Sequence, residues 1–232
     1  MIDIHTHLLY GVDDGVESLD EAIAILTRFE EQGVEHVFLT PHVAKERGYY
    51  QLDKFKTRFK KLREAIQDNK LSIKVHLGSE IDESDQLFDD IEISPSMNGT
   101  NVYMIDFGCR EVDIEAIVKD YTAQGIHVIV AHPERYHYVS YKTLKAIKHA
   151  GGLFQVSAAP LAKLGSRREK RLAKRLLKAE MIDFVGSDTH SIDNPLDIMD
   201  QAYAEVKRLK GPVVAHRIFM LNAKALLCQY SE

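Results

Sequence analysis

The chain has 232 residues, of which 45% are hydrophobic and 28% are charged, so it is long enough for one folded unit with a large core. Its net charge of −5 offers no overall attraction to nucleic acid or to an anionic membrane, and we expect neither as a partner. The two cysteines predict a reduced, cytoplasmic protein without disulfides. No apolar run approaches roughly 18 residues, so we expect no membrane insertion. A strand-like segment follows Met1 directly, so we expect no signal peptide.

Short apolar runs rich in β-branched residues alternate with helical patterns along the chain. Strands are predicted in "MIDIHTHL", "EHVFLTPH", "LSIKVHLGSEI", "NVYMIDFG", "IHVIVAHPERY", "GLFQVSAA" and "MIDFVGSDTHS". Helices are predicted over about residues 19–32, 53–67, 112–123, 141–149, 167–178, 196–209 and 212–228. This alternation is typical of a parallel sheet covered by helices, and seven units predict one α/β domain, residues 1–232, with a closed or nearly closed barrel. An open doubly wound sheet is the alternative, but no glycine-rich nucleotide loop follows the first strand.

Potential metal ligands recur where the predicted strands end. They are His5, His7, His42, Glu80, Asp106, His132, Asp188 and His190, and the sixth strand offers none. Because the active sites of such barrels lie at the C-terminal ends of the strands, these side chains are expected to converge. His5 and His7 are two residues apart and share a face of their strand, so Ile2, Ile4 and Thr6 are expected to face the helices. Imidazoles beside carboxylates are typical of Zn²⁺, Mn²⁺ or Fe²⁺ sites, and a bridging carboxylate favours more than one ion.

Single residues also have less specific interpretations. A lone strand histidine is usually a hydrogen-bonded core or surface residue, and the histidines that do not end a strand fit this description. For the full set the same explanation would have to hold at one strand end after another, which argues against it. The "DDG" after the first strand is a common turn signal, so Asp13 and Asp14 either form a turn only or reach the metal site from the neighbouring loop.

Five motifs in order, "DIHTHLLYGVDDG", "TPH", "GSEI", "AHPERY" and "SDTH", resemble those of the polymerase and histidinol phosphatase (PHP) superfamily. Within it they resemble the bacterial capsule-type, manganese-dependent protein-tyrosine phosphatases, and the match runs on to "FMLNAKALL" near the end of the chain. The resemblance implies a distorted TIM-like (β/α)7 barrel that holds two or three ions, Mn²⁺ first, with Fe, Co, Zn or Mg as alternatives. It also implies a role in capsule or exopolysaccharide biosynthesis, opposing a bacterial tyrosine kinase whose Tyr-rich tail is the substrate.

Carried over residue by residue, the resemblance implies a ligand set in which Glu80 bridges two ions. The matching ligands are His5, His7, Asp14, His42, Glu80, His132, Asp188 and His190. Where the family usually has a glutamate at the end of the fourth strand, this chain has the shorter Asp106. Arg135 of "AHPERY" matches the family's phosphate-binding arginine. A second arginine, expected after the "SDTH" motif, is missing, and Arg47, Arg167 and Arg168 are candidates for its role.

The chemistry predicted for such a site is hydrolysis of a phosphomonoester by a metal-bound hydroxide. The ions neutralise the phosphate and lower the pKa of bound water, while Arg135 holds phosphate oxygens. A cysteine-dependent route is excluded because Glu115, not an arginine, lies six residues after Cys109, so both cysteines are expected to be packing residues. Asp14 and Arg135 belong to the predicted catalytic set, and His42, His190 or Asp13 are candidates for protonating the leaving group.

Three other functions are compatible with parts of the pattern. A small-molecule phosphatase, such as histidinol-phosphate phosphatase, is the nearest. Hydrolysis of C–N bonds is disfavoured, because such sites usually carry a carbamylated lysine where this chain has Glu80 and Asp106. A catalytically inactive, metal-holding regulator is suggested by Asp106 and by the missing arginine.

A strongly basic segment, "KLGSRREKRLAKRLLK", stands out in the acidic chain. Its apolar positions predict an amphipathic outer helix with a solvated basic face. Alternatively, the segment attracts an acidic, phosphorylated tail toward the metal site.

Overall fold

The computed structural model describes residues 1–83, 91, 94–108 and 110–228. Its strands are β1 Ile2–Thr6, β2 His36–Leu39, β3 His42–Val43, β4 Lys74–Leu77, β5 Glu80–Asp82, β6 Val102–Asp106, β7 His127–Ala131, β8 Leu153–Ser157 and β9 Phe184–Gly186. They form two sheets with the orders β1-β2-β4 and β3-β5-β6-β7-β8-β9, and every pairing is parallel. The predicted α/β class with parallel strands is confirmed.

The second and third predicted strands are each broken in the middle. Pro41 lies in the gap between β2 and β3, and it lacks the N–H that a continuing ladder needs. Gly78 lies in the gap between β4 and β5, where a Cβ would approach Met97 Sδ to 2.8 Å. The first halves, β2 and β4, pair with each other and form the first sheet together with β1. The second halves, β3 and β5, join the second sheet and set His42 directly beside Glu80.

Backbone hydrogen bonds connect the first strand to the chain that follows the last one. His7 N donates to Thr189 O at 2.9 Å, and Asp188 N donates to His5 O at 2.9 Å. A parallel bridge pairs Thr6 with Thr189. These contacts favour the barrel over an open sheet, and its complete closure stays a prediction.

The helices that cover the sheets lie close to their predicted positions. They are α1 Leu19–Glu31, α2 Leu52–Asp68, α3 Ile114–Ala123, α4 Tyr141–His149, α5 Ala158–Leu161, α6 Arg167–Lys178, α7 Ile198–Lys210, α8 Pro212–His216 and α9 Asn222–Lys224. The short α5 was not predicted, and the predicted last helix is interrupted by a π-helical turn, Arg217–Leu221. No helix in the described ranges combines the length and the apolar composition that a bilayer crossing requires.

The core has two parts. The larger lies between the strands and the apolar faces of the helices, for example Ile25, Leu26 and Phe29 of α1. The smaller is formed mainly by strand residues, Ile2 and Ile4 among them, and is completed by Ala223 and Leu226. The prediction that these two isoleucines face the helices is wrong, because the register of β1 against β2 shifts between residues 3 and 6 and breaks the simple alternation.

Candidate metal centre

Three adjoining groups of imidazoles and carboxylates lie where the strands end. Within each group, one ligand atom per residue lies within 4.8 Å of the others. The groups are His7, Asp14, His42 and His190; His5, His7 and Glu80; and Glu80, Asp106 and His132. Because His7 and Glu80 each belong to two groups, the three positions form one connected cluster.

Glu80, the first residue of β5, lies at the middle of this cluster and is 1% exposed. Its Oε2 lies 3.2 Å from His5 Nε2, 3.3 Å from His7 Nε2 and 3.3 Å from His42 Nδ1. Its Oε1 lies 2.8 Å from His132 Nε2. A carboxylate that faces different imidazoles with its two oxygens has the arrangement needed to bridge two cations.

Asp188 is a second carboxylate that approaches His5 and His7. Its Oδ1 is 3.5 Å from His5 Nε2 and 3.4 Å from His7 Nε2. The backbone of Asp188 has φ 59°, and that of His132 has φ 28°. Residues other than glycine rarely adopt such angles, which cost on the order of 1–3 kcal/mol and cluster at functional sites.

A buried glutamine in the middle of the sixth predicted strand fixes the orientation of His5. Gln155, on β8, is fully buried, and its Oε1 accepts a hydrogen bond from the His132 backbone N–H at 3.1 Å. Since a backbone N–H can only donate, the atom facing it is the amide oxygen. The same oxygen lies 3.0 Å from His5 Nδ1, which therefore carries its proton. His5 Nε2 is left with its lone pair directed at the cluster, as a metal ligand requires.

Asp13 supports His7 in a similar way. Its Oδ2 lies 2.8 Å from His7 Nδ1 and accepts from His42 N at 2.9 Å. Its Oδ1 accepts from Gly15 N at 3.1 Å, which closes the turn, and a Cβ on Gly15 would come within 2.1 Å of His7 O. Burial opposes the charge on Asp13, but the His7 hydrogen bond outweighs it and lowers the pKa of this carboxyl. Asp13 therefore forms the turn and orients His7, and its ionised state argues against a role as proton donor.

Asp82 and Arg47 form a second supporting pair next to His42. Asp82 Oδ1 lies 3.1 Å from His42 Nδ1, and Asp82 Oδ2 accepts from Arg47 Nη1 at 3.1 Å. Arg47 Nη2 also donates to Asp14 Oδ2 at 2.8 Å. The guanidinium stacks 5.1 Å from the Tyr49 ring centroid. One side of the entrance to the cluster thus carries a partly exposed, positioned cation.

Arg135 is a second partly exposed arginine that contacts a carboxylate of the cluster. It lies on a 3-10 turn, Pro133–Arg135, and donates to Asp188 Oδ2 and, at 3.2 Å, to Ser157 Oγ. Arg168, on α6, donates to the backbone oxygens of this turn and of the residue after it, at 3.4 Å from Glu134 O and 2.6 Å from Tyr136 O. Arg168 is therefore committed to supporting the turn that presents Arg135.

The charges inside the cluster are strongly coupled. Burial opposes a proton on His7, but hydrogen bonds to carboxylates, led by Asp13, raise the pKa of His7 well above its usual value. Burial also opposes the charge on His132, yet Glu80 raises the pKa of His132 to about 9. Burial opposes ionisation of Glu80, and the surrounding imidazoles still hold its pKa well below the usual range. Without cations, the buried carboxylates therefore favour protons on His7 and His132.

The third group gives a direct indication that a cation fits here. His132 Nδ1 is buried and has no hydrogen-bond partner among the described residues. It lies 3.9 Å from Oδ1 of Asp106, a carboxyl whose pKa is raised by burial. Buried polar atoms without a partner are rare and call for an explanation, and a cation held by these two residues would give both a partner. The shorter Asp106 still reaches the group that contains Glu80.

Comparison with known proteins identifies the family. The family model for capsular polysaccharide synthesis, CpsB/CapC, matches residues 1–228. This chain belongs to the CpsB/CapC family. CapC of Staphylococcus aureus is 28% identical over 233 residues, covering 98% of this chain and 91% of CapC. The tyrosine-protein phosphatase CpsB of Streptococcus agalactiae serotype V is 26% identical over 240 residues, covering 98% of both chains.

The fold also matches that of structurally characterised CpsB/CapC proteins. A chain from the crystal structures of YwqE from Bacillus subtilis and CpsB from Streptococcus pneumoniae superposes with a TM-score of 0.90 at 24% identity. The match covers 100% of this chain and 96% of the other. Those proteins are described as metal-dependent tyrosine phosphatases. At this identity the likeness establishes the shared fold, and the predicted resemblance to the capsule-type branch is confirmed by the family model.

For this CpsB/CapC chain, the structure brings every predicted ligand to one place. The three candidates for the missing arginine separate clearly: Arg47 lies at the entrance, Arg168 supports the Arg135 turn, and Arg167 is exposed on α6. Gln155 and Asp82 were missed, although a glutamine between the apolar residues of "LFQV" and the two-residue spacing of Asp82 from Glu80 were available signals.

The predicted packing role of the cysteines does not hold for Cys228. Cys228 is exposed, so that prediction is wrong for this residue. Cys109 lies outside the described residues.

Proposed function

We propose that this chain is a metal-dependent protein-tyrosine phosphatase that holds two or three divalent ions, with Mn²⁺ as the first expectation. The proposed ligands are His5, His7, Asp14, His42, Glu80, Asp106, His132, Asp188 and His190. The observation that carries the proposal is the connected cluster of three ligand groups, with Arg47 and Arg135 donating to its carboxylates. Family membership supports it, as do relatives that bear the name tyrosine-protein phosphatase.

The bound ions would supply Lewis-acid chemistry, neutralising the phosphate dianion and lowering the pKa of a water molecule. Arg135 and Arg47 would bind the equatorial phosphate oxygens, since a guanidinium donates to two oxygens in a fixed geometry. Both already donate to carboxylates at the entrance, so binding would exchange one set of oxygen acceptors for another.

The outermost group, which includes Asp14, His42 and His190, is where the ester would meet the ions. The side chains of Asp14 and His190 are 41% and 31% exposed, whereas His5 and His7 are fully buried. Burial lowers the pKa of His190, and repulsion by His7 adds to this effect, so the imidazole is neutral and available to bind a cation.

The chemistry of the leaving group favours an aryl phosphate ester over an alkyl phosphate ester as the substrate of this site. A tyrosine phenolate has a conjugate acid with a pKa of about 10 and departs with little help from an acid, unlike an alkoxide. Asp13 is held ionised and offers no proton. This argument favours phosphotyrosine over histidinol phosphate, the small-molecule alternative.

The family description places related proteins in capsular polysaccharide synthesis. We propose accordingly that the substrate is the phosphorylated Tyr-rich tail of a bacterial tyrosine kinase in that process. A cytoplasmic location stays a prediction.

The test compares hydrolysis of a phosphotyrosine peptide, para-nitrophenyl phosphate and histidinol phosphate by Mn²⁺-loaded protein. We expect rapid turnover of both aryl esters, loss on chelation and loss in His7→Ala. Preference for histidinol phosphate would support the small-molecule alternative. No hydrolysis of any ester by metal-loaded protein would support the inactive regulator.

A further inference from the structure

The basic helix α6 carries four cations along one face. Seven of its twelve residues are arginine or lysine, in a chain whose net charge is −5. Arg167, Arg171, Lys174 and Lys178 are all exposed, and none makes a hydrogen bond or ion pair with the described residues. Their spacing of four, three and four residues puts them on the same side of the helix, over a length of about 16 Å. We call these four residues the cationic stripe.

The other basic residues of α6 are engaged within the protein. Arg168 donates to backbone oxygens near Arg135, and Lys170 Nζ donates to Lys163 O at 3.3 Å. Arg175 lies 3.5 Å from the centroid of the Tyr141 ring. The helix therefore divides its cations into three that attach it to the fold and four that remain available to a partner.

The stripe begins beside the candidate metal centre. Arg167 is the first residue of α6, and Arg168 next to it donates to Tyr136 O, one residue after Arg135. A capping box between Ser166 and Glu169 fixes this end of the helix. A peptide whose phosphate is held by Arg135 would therefore have the start of the stripe within reach of its neighbouring residues.

We propose that the cationic stripe binds acidic residues that flank the phosphotyrosine of a peptide substrate. This inference rests on the proposed phosphatase function. Four separated charges match the carboxylates of a short extended segment, whereas the acidic chain as a whole repels large polyanions such as nucleic acid. The stripe would thus select among phosphotyrosine sites, while the metal centre performs the hydrolysis.

The test neutralises the stripe and compares it with a matched control. The stripe variant is R167Q/R171Q/K174Q/K178Q. The control, K61Q/K119Q/K207Q/K224Q, removes four exposed lysines from four other helices and changes the net charge equally. Both variants leave every proposed ligand and both entrance arginines unchanged.

Three substrates are used with Mn²⁺-loaded protein: a phosphotyrosine peptide with acidic flanks, the same peptide with neutral flanks, and para-nitrophenyl phosphate. For the stripe variant we expect about a tenfold rise in KM for the acidic peptide alone, the combined effect of four exposed ion pairs. The rise should shrink at high salt, where the Debye length falls to ~3 Å. The control variant should behave as wild type.

Two results would overturn the proposal. One is an equal rise in KM for the stripe and control variants, which would indicate net charge alone. The other is an equal rise for all three substrates, which would indicate damage to the metal centre. Binding of the acidic peptide with a non-hydrolysable phosphonate, measured by fluorescence anisotropy, separates this inference from the proposed function. If the wild-type protein hydrolyses none of the substrates, the proposed phosphatase function is wrong. The binding measurement still tests the stripe in that case, because equal peptide affinities of the wild type and the stripe variant would reject its proposed role.

Discussion

Replacement of Gln155 by leucine should weaken metal binding without touching any proposed ligand. Gln155 Oε1 accepts from His132 N and from His5 Nδ1, and the side chain is fully buried. Leucine has a similar size but no acceptor, so two buried donors would lose their partner. At about 1–3 kcal/mol for each unsatisfied donor, the metal-free protein should lose about 2–6 kcal/mol of unfolding free energy.

The effect on the metal centre has a separate cause. Without the acceptor, His5 is free to move its proton to Nε2, the nitrogen that faces Glu80. Loss of such a supporting hydrogen bond typically lowers metal affinity 10–100-fold, or about 1.4–2.7 kcal/mol. Gln155→Glu is the matched control, because a carboxylate accepts both hydrogen bonds and keeps the proton on Nδ1.

Competition against a chelator of known affinity gives the metal dissociation constants, and thermal unfolding of the metal-free proteins gives their stability. We expect weaker metal binding in Gln155→Leu and near-normal binding in Gln155→Glu. Wild-type metal affinity in Gln155→Leu would refute the argument that this glutamine fixes the His5 tautomer.

Three further outcomes are expected. Asp13→Asn, which keeps an acceptor for His7 but removes its charge, should weaken metal binding about tenfold in the same chelator competition, and an unchanged constant would contradict the supporting role of Asp13. Arg47→Ala should raise KM for para-nitrophenyl phosphate about tenfold or more, with Arg47→Lys in between and Arg167→Gln unchanged; equal values in all of them would remove Arg47 from phosphate binding. Since the pKa of His132 is about 9, this imidazole is protonated in the metal-free protein at neutral pH, so metal binding must displace protons and should weaken as the pH falls. Calorimetry in two buffers of different ionisation enthalpy measures this release, and its absence would show that the metal-free histidines are already neutral.

The proposed ligands could be predicted because their positions follow from local rules. In parallel α/β folds the strand ends meet at one face, so the ending of each predicted strand indicates which side chains converge. His5, Glu80 and His132 fit this rule, and both histidines lie within hydrogen-bonding distance of Glu80. Helices were predicted almost as well, because amphipathic spacing is also local.

The supporting residues could not be predicted in the same way, because each role depends on a partner far away in sequence. Gln155 is 150 residues from His5, and Asp82 is 40 from His42. The breaks near Pro41 and Gly78 move half-strands between two sheets, which decides the neighbours of Glu80. A pattern of apolar residues records burial and period, but it does not record which strand lies beside which.

The position of Arg47 shows how the site can keep a positive charge although the arginine expected after the "SDTH" motif is missing. Binding a phosphate dianion requires cationic donors at given points around the ions, whatever loop supplies them. In this chain the segment after "SDTH" lacks an arginine, while the loop after β3 places Arg47 at the entrance through Asp14, Asp82 and the Tyr49 ring. Because the guanidinium is held by a proposed ligand on one side and by the partner of His42 on the other, it is positioned before substrate arrives. The missing arginine is therefore weak evidence for an inactive protein, and the Arg47 variants test that conclusion directly.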